Sequence, residues 1–172
     1  MPRCHSALLR SLEHRYRQTE FGEQGIVGAS GWEYYVPYQK DMAAAMEELR
    51  ARVFRDEDYY WSGDHPMDGD APVPRPATVE DLWEDEGVQE QGTHSILDME
   101  RILRPGERPR VGAVRPVQPD EACRLTGTDI LTREHVEAIE PLVGEGWSGR
   151  VAVLHDSAGR PSELYFWGIS GD

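Results

Sequence analysis

Apolar residues recur along this chain with two different periods. Met42, Met46, Leu49 and Val53 step by four, three and four residues, which puts them on one face of a helix. Ala43, Ala44 and Ala45 fill the turn between them with the best helix former. Glu47 and Glu48 face Arg50, Arg52 and Arg55 on the wet side. The pattern predicts a helix over residues 39–55, with Pro37 just before it, where a missing N–H costs little. The acids Asp56, Glu57 and Asp58 follow, an unfavourable charge for a helix C-terminus.

Elsewhere the period is two. In GWEYYVP, Trp32, Tyr34 and Val36 fall on one side of an extended segment, and Glu33, Tyr35 and Pro37 on the other. Trp32 and Tyr34 are expected to pack on the helix that follows, with Tyr35 and Tyr38 outside. GRVAVLHD and ELYFWGIS flank SAGRPS and predict a hairpin at 149–169, its turn nucleated by the Asp156 side chain. Residues 93–103 (THSILDMERIL) and VGAVRPV read as two more strands, and the first eighteen residues as a further one.

Short helices complete the pattern. Thr78, with Asp81 three residues on, starts one that buries Leu82 and Trp83. Another runs from Pro119 to Gly127. Thr132 caps a third, with Val136, Ile139 and Leu142 as its apolar stripe and Pro141 ending it early. Residues 59–77, rich in proline and aspartate, read as a long loop.

Two segments recur in order. His5-Ser6-Ala7-Leu8 resembles His94-Ser95-Ile96-Leu97, and Gly22–Ala29 resembles Gly106–Ala113. A duplicated strand–strand–helix unit would account for this, with halves 1–88 and 89–172 of one domain. The expected fold is therefore α+β: an antiparallel sheet with helices packed on one face.

Charge sharpens the picture. The chain has 172 residues and a net charge of −14. Between Asp56 and Glu100 there are fourteen carboxylates and one cation, Arg75, so this segment carries −13. Such a field repels a nucleic-acid backbone and attracts a basic protein. The basic residues are 17 arginines and a single lysine, Lys40, a bias that suits a GC-rich bacterial genome. No stretch approaches the ~20 apolar residues of a membrane span, and the N-terminus lacks the features of a secretion signal. Cys4 and Cys123 make neither a disulfide framework nor a four-ligand zinc site. A cytoplasmic protein with free thiols, and with no cofactor or metal, is the expectation; the oligomeric state is left open.

No nucleotide-binding, metalloprotease or nucleophile-elbow motif is present. Two readings of function follow. The first is a small acidic binding protein that covers a basic protein partner, as an inhibitor or immunity protein covers a toxin. Its face would use Tyr35, Tyr59, Tyr60 and Trp61 with Asp56, Glu57, Asp58 and Asp64, because aromatic residues dominate interface hot spots. The second is a small enzyme or small-molecule binder with a site between the two halves, where His5 and His94 would be the catalytic pair. Asp64, His65, Asp68 and Asp70 match no standard calcium loop, and read better as a solvated acidic loop.

Overall fold

A computed structural model describes residues 30–64 and 73–171. Ten regular elements are found there. They run β1 (Gly31–Pro37), α1 (Met42–Arg55), α2 (Val79–Leu82), α3 (Glu86–Gln91), β2 (Arg101–Ile102), β3 (Ala113–Pro116), α4 (Pro119–Thr126), α5 (Val136–Ile139), β4 (Ser148–His155) and β5 (Pro161–Ile169), with short 3-10 turns between them.

The five strands form one sheet in the order β1-β5-β4-β3-β2. β1 and β4 flank β5 antiparallel, whereas β3 runs parallel to both β4 and β2. The sheet is thus mixed, which corrects the antiparallel expectation. The reason is connectivity. β3 returns to β4 through α4 and α5, and parallel neighbours need such a crossover. The two helices were legible in the sequence, but what they connected was not.

Helices also cover both faces of the sheet rather than one. Successive residues of β5 alternate between two cores: Leu164 and Phe166 join Trp32, Tyr34, Val36, Met46, Leu49 and Val53, while Tyr165 and Trp167 join Ala122, Val136, Ile139 and Leu154. α1 supplies the first cover, and α4 and α5 the second. The helical stripe behaves as its spacing requires, with Met46, Leu49 and Val53 buried. β1 alternates as expected, with Trp32, Tyr34 and Val36 inward. Each such side chain, fully buried, contributes about 1.5–3 kcal/mol. α1 starts at Met42 because Asp41 accepts from the backbone N–H groups of Ala43 and Ala44, at 3.0 and 3.1 Å.

The strand expected over 93–103 shrinks to Arg101–Ile102, and Ile96–Asp98 is a 3-10 turn. Local side-chain bonds explain the change. Ser95 Oγ accepts from Leu97 N–H at 3.2 Å, and the Asp98 carboxylate accepts from Thr93 N–H at 2.7 Å. The helix capped by Thr132 is likewise broken into a 3-10 turn, α5, and a second turn containing Pro141. The hairpin, the Thr78 cap and the helix from Pro119 to Gly127 form as the pattern predicts. The repeat partners Gly22–Ala29 and His5–Leu8, and the strand expected near the N-terminus, lie outside the described residues. The first core draws on both proposed halves, from Trp32 to Phe166.

Candidate binding groove

The aromatic and acidic residues singled out from the sequence take separate places. Phe54 and Tyr59 stack with parallel rings 5.6 Å apart at the end of α1. Tyr60 stacks on His94 at 4.8 Å, and Tyr60 N–H donates to Thr93 O at 2.7 Å. Trp61 is buried in the first core. Tyr35 lies on the opposite face of the sheet, stacked on Tyr165 at 4.6 Å under the guanidinium of Arg133. Burial, with Glu33 beside it, pushes the Tyr35 phenol up to about 12. Alternation along β1 therefore separates Tyr35 from the Tyr59–Trp61 cluster.

The acids after α1 are partly neutralised within the chain. Arg75, the single cation of the acidic segment, pairs with Glu57 at 3.2 Å and with Asp64, and its guanidinium lies over the rings of Tyr59 and Trp61. Asp56 caps α1 and pairs with Arg55 at 3.1 Å. Glu57 adopts a left-handed backbone, φ 57°. Asp58 N–H donates to Val53 O at 3.0 Å. His5, His65, Asp68 and Asp70 lie outside the described residues. Among the described residues no group of three or more histidine, cysteine or acidic side chains could hold a metal ion.

His94 has a left-handed backbone, φ 51°, and its Nε2 is buried without a hydrogen-bond partner among the described residues. His155 is engaged through Nδ1 with the Leu131 carbonyl at 3.1 Å. Asp156 forms the expected turn, accepting from Ala158 and Arg160 N–H at 2.9 and 3.0 Å.

A concave site lies elsewhere, walled in part by the acidic segment. An open groove of about 660 Å³ runs between α1, α2 and the loops that precede β3 and β4. Trp83 and Trp147 meet along it, with ring centroids 5.6 Å apart and planes tilted by 43°. Glu80, Glu84 and Glu100 line it, together with Arg50 and the exposed Val111. Trp147 is held by its backbone: φ is 58°, and its carbonyl accepts from Gly112 N–H at 2.8 Å. The ring of Trp147 lies against Gly171, where a Cβ would fall 1.5 Å from Cε2, so only glycine fits there. Trp147 is, with Glu57 and His94, one of three non-glycine residues with positive φ among the described residues, and of these it lies on the groove wall.

The base of this groove is a buried polar cluster. Asp98 accepts from Thr93 N–H and Thr93 Oγ1, both at 2.7 Å, and from Ser170 Oγ. It ties the 3-10 turn after α3 to the residue following β5. Burial pushes its carboxyl above the ordinary 3.8, against the opposing effect of the bonds from Ser170 and Thr93.

The acids around α2 were legible in the sequence, and Trp83, expected to be buried, is partly buried against the first core; Trp147 was not legible. The signal was GEGWSG, a tryptophan set among glycines in a turn, where a ring has no strand or helix to bury it. No family model matches the chain, and neither the curated proteins nor the solved structures contain a match to it.

Proposed function

We propose that this protein is an acidic binding module for a basic protein partner, and that the partner engages the groove side of the molecule. One observation supports this above the others: two indoles and three glutamates, Trp83, Trp147, Glu80, Glu84 and Glu100, line one open groove, and the three glutamates belong to the segment that carries −13. Tryptophan is an anchor residue in interfaces, and clustered carboxylates steer a cationic partner during encounter. The face first expected, around Tyr59 and Asp64, contributes no residue to the groove lining, and there Arg75 already lies over the rings. No helix among the described residues is long and apolar enough to cross a membrane.

Capture from lysate at low and high salt, followed by kinetics with the purified partner, tests this reading. The association rate is expected to fall as salt rises, with the dissociation rate changing less. An association rate indifferent to ionic strength would remove the acidic face from the mechanism.

A further inference from the structure

Twice, this protein completes one arrangement from its own residues: an aromatic face, a carboxylate beside it, and a guanidinium that engages both. Arg133 holds its Cζ 4.3 Å from the Tyr35 centroid and forks onto Glu163 through Nε and Nη2, at 2.7 and 2.6 Å. Arg75 lies 5.5 and 5.4 Å from the Tyr59 and Trp61 centroids while pairing with Glu57 and Asp64. Guanidinium suits this role because it is planar, stacks on rings and presents a fork of N–H donors to carboxylates.

At the groove the ring and the acids stand without the guanidinium. Trp83 and Trp147 form the aromatic wall; Glu80 lies in α2, Trp83 caps that helix and Glu84 follows it in the turn. Among the described residues no arginine lies over either indole, and no ion pair engages Glu80 or Glu84. Arg50 lines the groove; its Nε lies 3.8 Å from Glu47, and its buried Nη1 has no hydrogen-bond partner among the described residues. Its charge disfavours a second cation close by and leaves the Glu80–Glu84 side as the favourable place.

We infer that the groove takes an arginine side chain from an extended basic segment of the partner, its guanidinium over the Trp83–Trp147 pair and its donors on Glu80 and Glu84. The inference rests on the proposed function and specifies its chemistry. Charge complementarity selects this occupant. A second copy of the chain would bring a net −14 against the same acids. A lysine would satisfy the carboxylates as a point charge but would lose the planar stacking.

The test uses the full chain and capped peptides of alternating glycine with arginine, lysine or glutamate, followed by indole fluorescence. The arginine peptide is expected to saturate the signal, the lysine peptide to bind several-fold more weakly, and the glutamate peptide not to bind. The double variant Glu80→Gln/Glu84→Gln, its fold checked by circular dichroism, is expected to weaken the arginine peptide by about tenfold. Trp83→Leu should do the same without altering net charge. Equal binding of arginine and lysine peptides, or an unchanged double variant, would overturn the guanidinium site. In that event salt-dependent capture of a basic partner would leave the proposed function standing, whereas failure of that capture as well would remove both. Concentration-dependent self-association abolished by the double variant would assign the groove to a second copy and also overturn the inference.

Discussion

Single positions carry stability out of proportion to their number. Leu49 sits mid-stripe on α1 and is 2% exposed. Leu49→Ala removes a buried isobutyl group from a core built on tryptophan, tyrosine and methionine, which cannot close fully around the gap. A loss of about 2–5 kcal/mol is expected in chemical denaturation. Asp98 works in the opposite sense to most surface acids. Its folded-state carboxyl is raised above 3.8 because burial disfavours the charge. The stability it contributes is therefore fully present below the unfolded value and is lost as pH rises through the folded one. In Asp98→Asn this pH dependence should vanish. Denaturation of both proteins across that window should show the wild type losing stability relative to the variant as pH rises. A carboxyl resonance titrating at or below 3.8 would show that water reaches the site.

Between elements, a buried ion-pair cluster seats α4 on the sheet. Arg150 of β4, 3% exposed, donates to Glu121 of α4 at 2.5 Å, and Arg115 of β3 reaches the other carboxylate oxygen. Gln118 N–H donates to the same carboxylate at 2.9 Å. Burial alone would raise the Glu121 carboxyl, but the Gln118 N–H and the two arginines outweigh it and hold it below 4.5. Stability from this group is accordingly present above the unfolded value and lost as pH falls through the folded one. Glu121→Ala leaves a buried arginine without its partner, and a cost of about 3–5 kcal/mol is expected. Pairing Glu121→Leu with Arg150→Met should recover much of it, measured by thermal unfolding. A Glu121→Ala variant as stable as the wild type would show that water, rather than Glu121, satisfies Arg150.

For the whole molecule, the distribution of charge matters more than its total. Glu80, Glu84 and Glu100 line one groove with the indole of Trp83 and, from a distant turn, that of Trp147. On the opposite face, Tyr35, Arg133 and Glu163 close an aromatic–ionic cluster internally. Two faces of one sheet thus end differently: one closes its cluster internally, while the other carries a groove in which Glu100 pairs with Arg110 at 3.7 Å and Glu80 and Glu84 form no ion pair among the described residues. The salt response expected of partner binding belongs to this scale, because it is the summed field and not one pair that steers an encounter.

The sequence by itself determined whatever depends on near neighbours. The α1 stripe, the alternation of β1, the 149–169 hairpin, the Thr78 cap and the Asp156 turn all follow from side-chain periods of 3.6 and 2 and from local hydrogen bonds, which are set within a few residues. Tertiary structure alone decided which strands are neighbours, that β3 and β4 run parallel, and that helices lie on both faces. Those depend on where a crossover returns, which periodicity does not encode. The groove shows the same division. Its acids were legible as a charge run, but Glu80 and Trp147, 67 positions apart, line one groove through long-range contacts such as the Gly112 N–H on the Trp147 carbonyl and Ser170 on the Asp98 carboxylate.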